Sequence, residues 1–324
     1  MSTTISLSKE KFPSYINRVL KPQKRTKHTV LDLFAGCGGL ALGLESVGFK
    51  TIGVEMEQSC CDTYNDNLHG KCITEFITPK FKFPDADVVI GGPPCQPFSV
   101  VGKQLGNSDT RNGVPAFIKA LEKIKPSIWM FENVKGLLYR SREYFEKSLK
   151  AFANLGYCVD YKILNCADFG VPQNRERIIV VGHDGHFNFP KENTTKITAG
   201  DALGKMAYAS PSNSKFLTSS MDRYVAEYEK KCRLANPRDL HLDKPARTLT
   251  CRNLAGSTAD MHRIKLSDGR RRRLRVKEAS RLQSFPDWFI FHGNETQRFN
   301  QIGNAVPPLF ARALGLKFKE YLNN

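Results

Sequence analysis

A thiol stands at Cys95 in the run Gly91-Gly92-Pro93-Pro94-Cys95-Gln96-Pro97-Phe98-Ser99, directly after the apolar stretch Asp87-Val88-Val89-Ile90. Prolines on both sides fix φ and stiffen the loop. The carboxyl edge of a strand is where α/β enzymes place their active sites, and a thiol held rigidly there suits a nucleophile. Most buried cysteines are small inert hydrophobes; the loop position and the prolines argue against that reading here. A second candidate is Glu132 in Phe131-Glu132-Asn133-Val134, again at the end of an apolar run. A carboxylic acid on that edge can donate a proton to a ring nitrogen. Arg175 and Arg177 in Gln173-Asn174-Arg175-Glu176-Arg177 supply two guanidinium groups just before another strand.

Asp32-Leu33-Phe34-Ala35-Gly36-Cys37-Gly38-Gly39 is a Gly-rich turn that lets a cofactor approach the backbone closely. Glu55 follows Gly36 by 19 residues, at the end of the next strand, where an acid can accept hydrogen bonds from ribose hydroxyls. Taken alone, the turn fits a nucleotide, S-adenosylmethionine or a simple structural turn. Gln301-Ile302-Gly303-Asn304-Ala305-Val306-Pro307-Pro308 leads into a final helix.

The elements that must position these groups alternate. Thr29–Phe34, Thr51–Glu55, Asp87–Ile90, Ile128–Phe131 and Arg177–Gly182 read as buried strands. Helical stretches lie between them, as at Ala116–Lys125 and Glu143–Leu155, and return at Val276–Gln283 and Pro308–Leu322. Such alternation predicts a parallel sheet in an α/β fold. After Gly182 the alternation stops. The stretch from 183 to about 272 is polar, basic and broken by Pro190, Pro211, Pro237 and Pro245. The expected division is a basic leader over 1–28, a catalytic and cofactor-binding domain over 29–182 with 296–324, and a recognition domain with its hinge over 183–295. The leader reads as an ordinary tail or an auxiliary DNA-binding arm, with one short helix.

The 324 residues carry a formal charge of +17, which favours a polyanionic partner. From His183 to Val276 there are 19 Lys and Arg against 10 Asp and Glu, so about half of the surplus lies in less than a third of the chain. Nine cysteines without a secretory signal or Cys-x-x-Cys spacing argue against a disulfide framework and against a structural zinc site. No metal and no membrane association is expected.

The order and content of these segments, with Arg273 to Asp287 as a sixth, resemble the DNA cytosine-5 methyltransferase family over Thr29 to Leu316, outside the basic stretch. The resemblance implies a Rossmann-like S-adenosylmethionine-dependent methyltransferase sheet with a smaller, irregular target-recognition domain. It implies that Cys95 attacks carbon 6 of cytosine while Glu132 protonates toward nitrogen 3, so that carbon 5 becomes an enamine and takes the methyl group. Arg175 and Arg177 match the family's active-site arginines, with Arg177 favoured for the base. S-Adenosyl-L-methionine contacts are implied at Phe34, Gly36, Gly39, Glu55, Met56, Pro94, Asn304 and Val306, and a phosphate contact at Ser99. The target base must leave the duplex, and Val100 to Thr110 is expected to close over it as a lid.

The chain departs from the family in carrying Cys72 before Ile73, where an Asp often binds the adenine amino group, and Arg275 and Lys277, where Thr and Arg are usual. In the recognition position, Arg247, Thr248, Thr250, Arg252, Asn253 and Ser257 are candidate base or phosphate contacts, and Arg270 to Arg273 candidate phosphate contacts. The implied partner is double-stranded DNA, methylated within a specific sequence by a monomer. A restriction endonuclease reading that sequence, and a cytoplasmic, nucleoid-associated location in a bacterium, complete the expectation. Two alternatives differ in class. A tRNA-modifying branch of the family carries a Cys-Phe-Thr tripeptide in this region, absent here. A catalytically inactive DNA-binding relative would have lost the thiol or the acid, both present here.

Overall fold

The computed structural model describes residues 10–23, 26–78, 80–94, 113–232, 238–256 and 258–323. Cys95, Ser99, the expected lid at 100–110 and Ser257 lie outside the described residues.

Seven strands form one sheet: β1 (Thr29–Leu33), β2 (Lys50–Glu55), β3 (Lys71–Thr74), β4 (Val88–Gly91), β5 (Ile128–Val134), β6 (Cys158–Asn165) and β7 (Glu176–His183). Their spatial order is β3-β2-β1-β4-β5-β7-β6. The order reverses between β1 and β4, which opens a crevice at their carboxyl ends. The sheet is not wholly parallel, as the alternation predicted. β7 runs antiparallel to both β5 and β6, because only a short stretch joins β6 to β7 and leaves no room for a crossover helix. β1, β4 and β5 are apolar on both faces and fully buried along most of their length, as strands covered by helices on both sides must be. β3 and β6 escape the apolar pattern because they are the edge strands; β6 buries only Leu164.

Helices α2 (Gly39–Glu45), α3 (Gln58–Asn67), α4 (Val114–Ile124), α5 (Gly136–Arg140) and α6 (Arg142–Ala153) cover the sheet. The last helices, α10 (Glu295–Asn304) and α11 (Pro308–Leu322), return to it, with Gly43 of α2 in close backbone contact with Ala311 of α11.

The leader differs from expectation. It contains the one short helix expected there, α1 (Phe12–Val19), but Phe12, Ile16 and Leu20 are buried in the same apolar cluster as Ile90, Met130 and Ile179. Asn17 holds the far side of the chain, accepting from Asp287 N–H (2.6 Å) and Trp288 Nε1–H (3.2 Å). From Phe12 onward it is part of the core, not a tail.

The region after β7 contains α7 (Ala199–Leu203), α8 (Ser219–Lys231), the ribbon β8 (Arg263–Lys265) with β9 (Arg271–Arg273), and α9 (Val276–Leu282). Its apolar residues Ile197, Ala202, Leu249, Leu254 and Ile264 join the main cluster; among the described residues, only Leu217, Val225 and Met261 form a small buried core of their own. Ion pairs replace the missing apolar mass. Arg263 is fully buried between Glu229 and Asp239, and Arg271 pairs with Asp239 and Asp222. Arg272 is fully buried on Glu278, which is also fully buried. Among the described residues no helix is long and apolar enough to cross a membrane, and no group of three or more His, Cys, Asp or Glu could hold a metal ion.

Candidate active site

The loops after β1, β2, β4 and β5 meet above the crevice. Phe34 leaves β1 with φ 59°, a left-handed conformation that costs an aromatic residue about 1–3 kcal/mol and is typical of functional turns. Gly36, at φ 53°, donates its N–H to Glu55 Oε2 (3.0 Å), while Glu55 Oε1 accepts from Met56 N–H (2.9 Å) and Glu57 N–H (3.0 Å). One carboxylate thus ties the first loop to the second and uses three of its roughly four lone-pair directions. Gly39 must lack a side chain: a Cβ there would lie 2.4 Å from Val306 O. This close approach brings the segment after α10 against the Gly-rich turn. Below, Asp32 is wholly buried, and neither of its oxygens has a hydrogen-bond partner among the described residues; burial first, then Glu55, raises its carboxyl well above the usual carboxylate range.

Phe34, Gly36, Gly39, Glu55 and Val306 therefore share one end of the crevice. Met56 is 57% exposed beside them, and Pro94 is exposed on the adjoining β4 loop. A Cβ built on Gly36 would meet nothing within 4 Å among the described residues, which leave open space over the turn. Cys72, where the family often has Asp, turns its thiol to Cys61 Sγ, 3.1 Å away.

At the other end, Glu132 and Arg177 face each other from adjacent strands. Arg177 Nε lies 2.9 Å from Glu132 Oε1, both side chains about one-tenth exposed. The contact is a charge pair without hydrogen-bond alignment, and Glu132 Oε1 is buried without a hydrogen-bond partner among the described residues. Gly92 backs onto this carboxyl group, since a Cβ there would lie 2.9 Å from Glu132 Oε2. Asn133 Nδ2 donates to Pro93 O (3.1 Å). Glu132 and Asn133 thus hold the base of the loop whose described part stops at Pro94, one residue before Cys95.

Arg175 is placed differently from Arg177. It is 2% exposed, and Nη1 donates to Leu249 O (2.9 Å) and Gly303 O (3.2 Å), with Nη2 reaching Asn304 O (3.5 Å). Burial first, then the Arg177 charge, lowers its pKa to about 9, so it remains a cation at neutral pH. Its partners make it a brace between three chain segments. Gln173 does the same with an amide: Oε1 accepts from Leu249 N–H (2.8 Å) and Nε2 donates to Leu282 O (3.4 Å). Asn133 and Gln173 were not singled out from the sequence, although both lie inside the motifs around Glu132 and Arg175. Their amides had no recognisable task until their partners, far along the chain, were in view.

The recognition candidates divide as well. Arg247 pairs with Asp260 (3.2 Å), and Thr248 Oγ1 donates to Asn174 O (2.6 Å). Asn253 is buried, accepting from Thr250 N–H (2.8 Å) and donating to Thr248 O (2.9 Å). Beside them His262 is buried, and burial, with the Arg247 charge, lowers its pKa to about 3. Only Arg252, of those described, is exposed and without a hydrogen bond or ion pair among the described residues. The expectation of phosphate contacts from Arg270 to Arg273 is corrected at Arg272 and Arg271. The first is sealed in the protein, and the second is satisfied by two carboxylates. Arg270 is exposed, stacked 4.4 Å over the Phe216 ring.

Residues 28–320 match the family of C-5 cytosine-specific DNA methylases. The chain is 50% identical over 315 residues to the Type II methyltransferase M.AplI of Arthrospira platensis, covering 96% of this chain and 91% of that protein. It is 33% identical to the Type II methyltransferase M.XorII of Xanthomonas oryzae pv. oryzae, covering 90% and 84%. Among solved structures, the S. pombe Dnmt2 methyltransferase superposes with a TM-score of 0.72 at 19% identity, over 92% of this chain and all of that one. A DNA modification methyltransferase from an E. coli prophage superposes with a TM-score of 0.65 at 22% identity, again over 92% of this chain and 100% of the other. The last two likenesses speak for the fold, and the first two for the sequence family. Motifs, crevice and relatives agree: this chain belongs to the C-5 cytosine-specific DNA methylase family, enzymes that methylate cytosine in DNA with S-adenosylmethionine.

Proposed function

We propose that this enzyme methylates carbon 5 of a flipped-out cytosine in double-stranded DNA through a covalent adduct on Cys95, with Glu132 as the proton donor and Arg177 holding the base. The observation that carries this reading is the Glu132–Arg177 pair, 2.9 Å apart and nearly buried beside the base of the Cys95 loop. A carboxyl group in this place can deliver a proton to nitrogen 3 as the thiolate attacks carbon 6. The adjacent guanidinium is left with donors for the cytosine oxygen. After methyl transfer, loss of the carbon 5 proton and departure of the thiolate restore the aromatic ring.

S-Adenosylmethionine supplies the electrophilic methyl group. The other end of the crevice fits it. Space over Gly36 is open, Met56 and Pro94 offer exposed apolar surface, and Glu55 keeps a free acceptor direction. Phe34, Gly39, Asn304 and Val306 would complete that site. Ser99 and Arg252 are the proposed phosphate contacts, while Arg247, Thr248, Thr250 and Asn253 hold the recognition segment in shape. A restriction endonuclease of the same specificity is the expected partner, the enzyme works as a monomer, and its substrate places it in the cytoplasm with the nucleoid.

The test is transfer of labelled methyl from S-adenosylmethionine to duplex DNA and, in parallel, to tRNA, with the modified base mapped. Label at carbon 5 of cytosine in one duplex sequence supports the reading. Label in tRNA alone overturns the substrate, and full activity in Cys95→Ala overturns the nucleophile.

A further inference from the structure

The segment Leu249–Cys251 lies directly on the end of α10. A Cβ on Gly303 would come within 2.4 Å of Cys251 N and 2.6 Å of Thr250 C, so this contact exists only because the residue is glycine. Arg175 clamps the two segments through Leu249 O and Gly303 O. At this junction Cys251 Sγ sits 2.8 Å from Asn304 Oδ1 and 3.5 Å from Asn300 O. A thiol can donate but accepts only weakly. An amide can present either its oxygen or its nitrogen to a neighbour, and the hydrogen-bond network decides which. The thiol has one proton, and Asn304 Oδ1 is the nearer of its two acceptors; donated there, it selects Oδ1 and turns the two Nδ2 donors the other way, where they have no partner among the described residues. Burial raises the Cys251 thiol above its ordinary pKa, which keeps the donor protonated.

We propose that Cys251 is a positioning residue that fixes the amide orientation of Asn304, presenting its Nδ2 donors to an acceptor group of S-adenosylmethionine. The inference rests on the assignment of Asn304 to the cofactor site. It adds a residue of the recognition segment to the machinery that holds the cofactor.

The experiment is calorimetric titration of S-adenosylhomocysteine into the wild type, Cys251→Ala and Cys251→Ser. Cys251→Ala removes the donor and frees the amide to turn; affinity should fall roughly three- to tenfold, the effect of one oriented hydrogen bond. Cys251→Ser restores a donor and should recover affinity to within about twofold of the wild type. A purely structural role would instead lower the melting temperature and would not follow the donor. Wild-type affinity in Cys251→Ala, or a serine variant as weak as alanine, overturns the proposal. Should the alanine variant not fold, the alkylation rate of Cys251 in the wild type by iodoacetamide, read by peptide mass, serves instead. Saturating S-adenosylhomocysteine should slow it at least about threefold by locking the thiol's partner, and equal rates overturn the proposal. Wild-type protein that binds S-adenosylhomocysteine but transfers no methyl group counts against the proposed function and leaves this inference standing. Wild-type protein that binds none overturns both.

Discussion

Arg272 offers a sharp test of how the basic charge is used. Its guanidinium makes five hydrogen bonds: to Ala209 O (3.0 Å), Arg273 O (3.2 Å), Met206 O (2.9 Å) and both oxygens of Glu278 (2.8 and 2.9 Å). It and Glu278 are fully buried. Truncation to Ala leaves the Glu278 charge with Arg275 as its remaining partner, strands the carbonyl of Ala209 and leaves Met206 O with only the Ala209 N–H (3.2 Å). Breaking a buried pair from one side costs about 3–5 kcal/mol. An unfolding entropy of about 2.1 cal/mol/K per residue over 324 residues converts this to an apparent melting temperature lower by roughly 4–7 °C. A phosphate contact would behave otherwise. Its loss would leave the melting temperature in place and flatten the plot of log affinity for DNA against log salt by about 0.9. That second signature is expected instead from Arg252→Ala, since Arg252 is exposed and without a partner among the described residues. Thermal denaturation and DNA binding over a salt series, run on both variants, separate the two roles. A shallower salt slope in Arg272→Ala with unchanged melting would refute the reasoning.

Three more outcomes follow from the same geometry. Glu132→Gln keeps the shape but removes the proton; kcat should fall about 10²- to 10⁴-fold while cofactor affinity holds, by steady-state kinetics and calorimetry. Gly39→Ala would put a Cβ 2.4 Å from Val306 O; backbone must move, and S-adenosylhomocysteine affinity should drop more than about tenfold, since sites need positioning to within ~0.5 Å. Glu278 is subject to burial, which raises its pKa, but hydrogen bonds from Arg272 and Arg275 outweigh it and hold the carboxyl below its ordinary 4.5. The unfolded chain then binds the proton more readily, so this stabilisation is present above pH 4.5 and is lost as pH falls below it toward the folded value. Melting curves between neutral and acid pH should show a smaller acid loss in Arg272→Ala than in the wild type, and an equal loss would contradict the pairing.

The strands under the crevice were legible because β1, β4 and β5 are apolar on both faces, and a run of buried residues ending in Gly, Pro or Glu marks its own carboxyl edge. The edge strands were not, since β6 buries one residue and carries no period to read. The reversed direction of β7 hid for a different reason: a strand's pattern is the same whichever way it runs. A short helix in the leader was legible, but its docking was not, because Phe12, Ile16 and Leu20 make too short a stripe amid basic residues to announce a buried face. Charge was legible as a surplus but not as a set of partners. Arg263 meets Glu229 and Asp239, residues 34 and 24 positions away, and nothing local distinguishes such an arginine from one that waits for a phosphate. Glu132 and Arg177 were found as separate strand-end residues; their pairing required the antiparallel register in which Val134 stands opposite Arg177.

The central claim is that Cys95 bonds covalently to the cytosine that Glu132 activates. The most direct measurement uses duplex DNA in which the target cytosine carries fluorine at carbon 5, incubated with the enzyme and S-adenosylmethionine. Once the methyl group is in place, no proton remains on carbon 5 to be lost, and the thiolate cannot depart. The account predicts a stable protein–DNA adduct whose digestion yields a peptide carrying the modified nucleotide on Cys95, formed far more slowly by Glu132→Gln. A nucleotide attached to any other residue, or methylated product released without an adduct, would contradict it.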